Sequence, residues 1–480
     1  METLMTLALT PTLENRASWS LDALRARLTG EALTPDDAGY AAARQAWNLT
    51  VDQHPALIVV ARTRDDLVAA VRYARAQSLE IAVKATGHGV IREANGSLLV
   101  VTSPMTDVTV DAAARTAWIS AGAKWAHVLP KTQAVGLAPL LGSTPDVGAV
   151  GYTLGGGMGW LARRYGLSTD SVNRFELVTA DGEIVTASAG ENADLFWGLR
   201  GGGGNFGVVT GMEIRLYPVA TVYGGNLYYP AHLAAEVIAR FREWIKTAPD
   251  ALTSSVVLMN YPPFPEVPEF LRGQSFVMVR GCFAGPAAEG EALLEYWRGW
   301  QAPLIDDFKA MPFSEVAAIS NDPVDPVPAQ GSGAWLSDLS DETADTLIRF
   351  VLPQGGPPAL IFGEVRHAGG AIARVDPQAA AYSHREATLS LEVVGAAPTP
   401  EARARVRDHI AALKRALAPH LHGGVYLNFV EGEEARASAR LGFSAEAYQR
   451  LRALKARYDP HNVFSHSYDI ASGPESLNRP

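Results

Sequence analysis

Glycine is the residue that most constrains what this chain can become. It is concentrated in a dense stretch from Gly142 to Gly166 and in a second cluster ending at Gly207. With 44 glycines and 30 prolines in 480 residues, the chain must turn often, which argues against a helical bundle. Gly155-Gly156-Gly157-Met158-Gly159 and Gly202-Gly203-Gly204-Asn205-Phe206-Gly207 each approximate a dinucleotide fingerprint. That fingerprint works only when a strand and a tight turn lead into a helix whose N-terminus meets the pyrophosphate. The second cluster has the opposite order, a helix-like Asn192 to Leu199 before it and the strand Val208-Val209-Thr210 after it. Spacing alone therefore favours glycines serving turns and close backbone approach, and NAD binding is not supported.

The stretch before the glycines reads as a β-α-β unit. Ala56-Leu57-Ile58-Val59-Val60 is a short buried-strand run, and Thr63 with Asp66 forms a capping box for a helix with Leu67, Val71 and Ala74 on its apolar face. Ile81-Ala82-Val83 is the second strand, and it ends in the turn Thr86-Gly87-His88-Gly89. A glycine-flanked loop at a strand's carboxyl end is where α/β units tend to place ligands. Phe175 to Val178 and Glu183 to Val185 flank Asp181-Gly182 and read as a hairpin.

The texture changes near residue 220. A helix with Leu233, Val237, Phe241 and Trp244 on one face precedes strand candidates at 254–259, 276–283, 359–365 and 387–394. Helices are expected at 289–300 and 341–351, and after Thr399, with Pro400 at the first position and a stripe of Val406, Ile410, Leu413 and Leu417. The fold class is α+β, with an antiparallel sheet flanked by helices on one face.

A net charge of −10 and a pI near 5.6 argue against a nucleic-acid binder, which needs a basic face. The first fifteen residues lack a basic region followed by an apolar stretch, and no apolar run is long enough to span a bilayer. Cys282 stands alone and can form no intramolecular disulfide. A cytoplasmic protein without membrane contact is expected. His420 and His422 form His-x-His, but with no third ligand evident no metal site is expected.

Four blocks taken in order resemble the berberine-bridge-enzyme-like FAD-linked oxidases, of the p-cresol methylhydroxylase or vanillyl-alcohol oxidase fold. They are Ile81 to Gly89, Gly142 to Trp160, Asp194 to Thr210, and Tyr426-Leu427-Asn428 with Tyr458 to Phe464. The resemblance implies a two-part FAD-binding domain, residues 41–220 and 425–480, with a substrate domain inserted at 221–424. Residues 1–40 are left as an N-terminal arm.

The resemblance also implies a covalent FAD, bonded through its 8α carbon to His88, a bond that requires a neutral imidazole. Lys84, Ala85, Thr86, Gly87, Gly89 and Val90 would surround that attachment. Ser143, Thr144, Asp146, Gly148, Gly151, Tyr152, Gly156 and Gly157 would line the flavin, and Val208 and Val209 its adenine end. Many relatives carry a second, cysteinyl link within Cys-Pro-Thr-Val-Gly. Here the run is Thr144-Pro145-Asp146-Val147-Gly148, so no cysteinyl link is expected. Val147 occupies the position of the family's oxygen gate, where valine resembles oxidases and leucine resembles dehydrogenases. A buried strand valine fits the same position.

Oxidation of an alcohol or amine carbon also needs a proton acceptor. Tyr426 is the first candidate, with Asn428 beside the flavin. Alternation on a strand would point both to one face, while a half-buried strand aromatic is the alternative. Glu364 with Arg366, and Glu392 with Ser390 and Thr388, alternate onto strand faces in the inserted segment, where some relatives place catalytic carboxylates. An exposed or ion-paired role suits each of them equally. The expected function is an FAD-dependent oxidase that acts on a small-molecule alcohol, amine or secondary metabolite and reduces molecular oxygen to hydrogen peroxide. A dehydrogenase with another acceptor, or a flavin-binding protein without turnover, are the alternatives.

Overall fold

The computed structural model describes residues 19–470 apart from Glu266. Three sheets organise the chain. The first holds β1 (Glu31–Leu33), β2 (Leu57–Val60), β3 (Ile81–Lys84) and β4 (Leu98–Val101) in the order β1-β2-β4-β3. The β-α-β unit is present, but its strands are not neighbours. Both β2 and β3 pair in parallel with β4, which lies between them. The helix Arg64–Gln77 starts on the expected Thr63–Asp66 capping box. The segment read as an arm is built in from residue 20 onward. Ser20 caps the short helix Leu21–Arg25, and β1 adds antiparallel to β2. The sequence there has one short apolar stretch, and only the open edge of β2 makes it a strand.

The second sheet is antiparallel, with β5 (Val108–Asp111), β6 (Thr116–Ser120), β7 (Val172–Val178), β8 (Ile184–Ser188) and β9 (Val208–Arg215) in the order β5-β6-β9-β7-β8. The expected hairpin is β7–β8. The helix Ala193–Leu199 precedes the Gly201–Gly207 turns, and β9 follows them, the order that argued against a nucleotide fingerprint.

The third sheet comprises β10 (Thr221–Pro230), β11 (Leu252–Asn260), β12 (Ser275–Phe283), β13 (Ile305–Asp306), β14 (Lys309–Pro312), β15 (Ala329–Leu336), β16 (Phe362–His367) and β17 (Leu389–Ala396). All its pairings are antiparallel, in the order β13-β10-β12-β11-β16-β17-β15, with β14 also on β10. Strand alternation divides its faces. Val256, Leu258, Val277, Val279, Val365, Leu391 and Val393 meet the helices Ala234–Trp244, Asp341–Val351 and Pro400–Ala416 in one apolar core. The other face is polar along its middle, and it carries the site. Among the described residues no helix is long and apolar enough to cross a membrane.

Candidate active site

His88 lies on the turn after β3. Gly87 before it adopts φ +82°, and a Cβ there would come within 2.8 Å of Ala46 Cα, so only glycine lets the turn pack this closely. The backbone N–H groups of Trp47 and Asn48 donate to the carbonyls of Thr86 and Gly87. This ladder brings Trp47 over His88, with ring centroids 4.3 Å apart and 15° between planes. His88 Nδ1 contacts Thr86 Oγ1 at 2.8 Å, while Nε2 is buried without a hydrogen-bond partner, 3.9 Å from Asp146 Oδ2. Burial, helped by Lys124 and opposed by Asp146, lowers its pKa to about 4. The imidazole is therefore neutral at pH 7, the state that can act as a nucleophile.

The other residues implied by the resemblance divide into two groups. Ala85 and Thr86 pack beside Gly148, which starts the helix Ala149–Leu154 carrying Gly151 and Tyr152. Asp146 is held by Lys124 Nζ at 2.6 Å on Oδ1, while its Oδ2 lies 3.9 Å from His88 Nε2, beyond hydrogen-bond reach. Thr144 Oγ1 accepts from the Asp146 N–H, which orders the turn that begins at Ser143. Lys84 faces elsewhere: its ammonium donates to the Ala43 and Gln45 carbonyls, which gives it a structural tie. Val90 contributes its carbonyl to the Gly432 N–H, and Val208 and Val209 are buried in β9. Val147 is half-buried against the core around Trp125, and its carbonyl accepts from the Trp125 N–H.

Tyr426 and Asn428 do come together, although not on a strand. Tyr426 caps a short 3-10 turn, Leu427–Phe429. The alternating pattern is too short to pair with a sheet, and the turn instead points both side chains at the glycine loop. The Tyr426 hydroxyl oxygen accepts from the N–H groups of Gly157 at 3.1 Å and Met158 at 2.9 Å, and from Asn428 Nδ2 at 3.1 Å. Asn428 also donates to the Tyr152 carbonyl and accepts from Tyr468 Oη. Gly157 has φ +79°, and a Cβ there would strike the Tyr152 ring at 2.5 Å. Three donors favour a phenolate, but burial outweighs them and raises the Tyr426 pKa to about 12. Tyr426 is a neutral phenol at pH 7.

The carboxylates expected from strand alternation form one network on the polar face of the third sheet. Glu364 and Glu392 are register partners on β16 and β17. Arg366 donates to both, at 2.8 Å each. Ser255 Oγ donates to Glu364 at 2.6 Å, Arg280 Nη1 lies 3.8 Å from it, and Arg280 also bonds Asn226. Burial would raise the Glu364 carboxyl, but Arg366, Arg280 and Ser255 hold it below the usual range. Arg366 stays charged despite burial because both glutamates face it. For Glu392 the balance goes the other way. Burial, with Glu364, Asp322 and Glu431 adding to it, exceeds the pull of Arg366 and pushes the carboxyl up to about 7. Both glutamates are thus ion-paired to Arg366, the alternative weighed for each of them. Glu364 is held ionised, however, while Glu392 is raised to about 7, within the range of general-base chemistry.

The Arg366 guanidinium lies 4.8 Å over the Phe429 ring, and Phe429 packs edge-on against Tyr426. The network and the tyrosine are thus one site. Arg366 also lines an interior cavity with Met158, Trp160, Thr253, Ser254 and Ile372. Trp160 Nε1, Thr253 Oγ1 and Ser254 Oγ in its wall are buried without partners. Trp47, Lys124, Ser255, Arg280 and Tyr382 were missed in the sequence, where no local motif marks them. Tyr382 packs 6.1 Å from the Tyr426 ring, centroid to centroid.

These residues fit a flavin. The unpartnered His88 Nε2 and Tyr152 Oη are buried polar atoms, and a Cβ built at Gly89 or Gly151 would meet nothing within 4 Å. An FAD-binding unit set against the polar face of an antiparallel sheet defines the class, an FAD-linked oxidoreductase. A family described as FAD binding domain matches residues 55–188, and one described as berberine and berberine like matches 425–470. The chain is 30% identical to an uncharacterized FAD-linked oxidoreductase of Bacillus subtilis, YgaK, over 94% of this chain and 99% of that protein. It is 30% identical to (R)-6-hydroxynicotine oxidase of Paenarthrobacter nicotinovorans, over 92% of this chain and 97% of the relative. The crystal structure of 6-hydroxy-D-nicotine oxidase from Arthrobacter nicotinovorans superposes with a TM-score of 0.80 at 26% identity, covering 93% and 98% of the two chains. The chain belongs to the berberine-bridge-enzyme-like family of FAD-linked oxidoreductases, and its α+β fold is the p-cresol methylhydroxylase type.

Proposed function

We propose that this protein is an FAD-dependent oxidase of a small-molecule alcohol, amine or secondary metabolite, with FAD joined to His88 by a single covalent bond. The observation that carries the reading is Glu392, a carboxyl poised near pH 7 on the sheet face that meets Tyr426. FAD, when bound, would supply the hydride acceptor and the redox centre at which oxygen would be reduced to hydrogen peroxide. Glu392 takes the proton that leaves the substrate hydroxyl or amine as the carbon–hydrogen bond is lost. Arg366 and Glu364 hold Glu392 in place, and Tyr426, as a neutral phenol, orients the substrate. His88, neutral and with a free Nε2, provides the tether, and Thr144 leaves no thiol for a second one. Val147 keeps a small side chain on the path proposed for oxygen.

The same reading takes residues 221–424 as the substrate domain, since every strand of the third sheet falls between Thr221 and Ala396. The 6-hydroxynicotine oxidase relative supports the amine class, and a chitooligosaccharide oxidase of the same fold keeps the hydroxyl groups of sugars within range. The test is a screen of amines, alcohols and sugars for anaerobic bleaching of the flavin, followed by admission of air. Bleaching with prompt recovery and stoichiometric peroxide is expected. Bleaching with sluggish recovery would make the protein a dehydrogenase, and no bleaching by any class would leave a flavin-binding protein without turnover.

A further inference from the structure

The two histidines of His420-Leu421-His422 diverge. His420 Nδ1 faces Asp338 at 3.2 Å and its Nε2 faces Glu342 at 3.6 Å. His422 Nε2 instead faces Glu386 Oε1 at 3.3 Å, and the same oxygen lies 3.9 Å from His384 Nδ1. His384, Glu386 and His422 can each present one ligand atom, all within 4.8 Å of one another. Only His422 of the His-x-His pair belongs to this cluster, and its other two members, His384 and Glu386, come from a separate upstream segment.

The cluster is built rather than incidental. His384 Nε2 lies 2.8 Å from the Leu441 carbonyl. A carbonyl only accepts, so Nε2 carries the hydrogen, and in the neutral ring Nδ1 is left as a bare lone pair. That lone pair faces a carboxylate oxygen, an arrangement that a cation between them relieves. The His384 ring is pinned as well. Its backbone has φ +59°, and a Cβ on Gly424 would lie 2.7 Å from three ring atoms, so the ring rests flat against glycine backbone. His422 is anchored by its N–H to the Trp335 carbonyl, and its Nδ1 is buried without a partner. Glu386 is 67% exposed, which gives an ion and a completing water a way in.

We propose that His384, Glu386 and His422 form a site for one zinc-class divalent cation, with water completing a tetrahedral shell. Metal–ligand bonds near 2.0–2.2 Å place tetrahedral ligand atoms about 3.4 Å apart. The separations of 3.3 and 3.9 Å from Glu386 lie close to that, all three ligand atoms fall within 4.8 Å of one another, and small rotations of the Glu386 and His422 side chains would close the rest. Two imidazoles and a carboxylate select Zn²⁺, Co²⁺ or Ni²⁺ over Mg²⁺ or Ca²⁺. The ion joins two segments that serve the active site. Tyr382 stands two residues before His384, and Tyr426 four residues after His422.

The test uses the flavin-loaded protein, free of any affinity tag and stripped with chelator, dialysed against Zn²⁺ and separately titrated with Co²⁺. Wild type and His420→Ala are expected to retain one equivalent of zinc and to show Co²⁺ ligand-field bands to the red of the flavin. Glu386→Gln, an exposed change that leaves packing intact, and His422→Ala should each weaken binding at least tenfold, with flavin content confirming that they fold. Absence of stoichiometric binding by wild type, or equal binding by Glu386→Gln and His422→Ala, would overturn the proposal.

Discussion

The indole of Trp47 lies almost parallel to the imidazole of His88, 4.3 Å away between centroids. One face of the histidine ring is thereby covered, Nδ1 is occupied by Thr86, and Nε2 is the nitrogen left open. If His88 is the flavin attachment point, acid-denatured protein keeps its yellow colour and His88→Ala releases it. Stacking of this kind contributes roughly 0.5–1.5 kcal/mol, so Trp47→Ala should slow attachment about two- to tenfold without abolishing it. In-gel flavin fluorescence over time measures both.

The depressed pKa of His88 makes a second prediction. A free imidazole loses nucleophilic capacity as pH falls through about 6.5. With its pKa lowered to about 4, His88 stays neutral across that range. Attachment of FAD to the apoprotein should therefore proceed at nearly constant rate from pH 8 down to about 5. A rate that falls with a midpoint near 6.5 would show that His88 is not desolvated as described.

As the proposed base, Glu392 would act only when ionised, and its pKa is raised to about 7. The rate of flavin reduction should rise as pH increases through 7 and level off above it. Glu392→Gln should remove that rise and lower the rate by roughly 10²–10⁴. Arg366→Gln removes the positive charge that stabilises the carboxylate, so any residual activity should shift its limb to higher pH. Anaerobic stopped-flow reduction across pH separates these outcomes.

Tyr426→Phe tests whether the phenol positions or reacts. The substitution strands the Gly157 and Met158 N–H groups, whose loss of partners costs roughly 1–3 kcal/mol in stability. The pH limb near 7 should survive, because it belongs to Glu392. If it disappears in Tyr426→Phe and persists in Glu392→Gln, the tyrosine is the base.

A buried ion pair joins two of the motifs that carry the family resemblance. Lys455 Nζ lies 2.7 Å from Asp459 Oδ2 with both side chains almost wholly buried, and it also donates to the carbonyls of Asn205 and Phe464. The Val463 carbonyl in turn accepts from the Ile81 N–H at the start of the strand leading to His88. Asp459→Ala leaves the ammonium unpaired and should cost roughly 3–5 kcal/mol, seen as a lower Tm. Replacing both residues with apolar ones of similar size removes the buried charge but strands the Asn205 and Phe464 carbonyls and the Val463 and Phe464 N–H groups, so it should recover only part of that loss.

Much of this protein is legible along the chain. Caps and alternation need only neighbouring residues, so Thr63–Asp66, Thr399–Pro400 and the β7–β8 hairpin could be read directly. The glycine turns around His88 and Gly157 mark where backbone must approach closely, and the order of the four motifs carries the family. What the tertiary structure decided is pairing and desolvation. The stacking of Trp47 on His88, the sharing of Arg366 between Glu364 and Glu392, and the meeting of His384 with His422 all depend on which segments become neighbours. The acidity of each group then follows from that company. Glu364 and Glu392 have the same side chain on the same face, yet one is held ionised by two guanidiniums and the other is left near neutrality by burial and a single shared one.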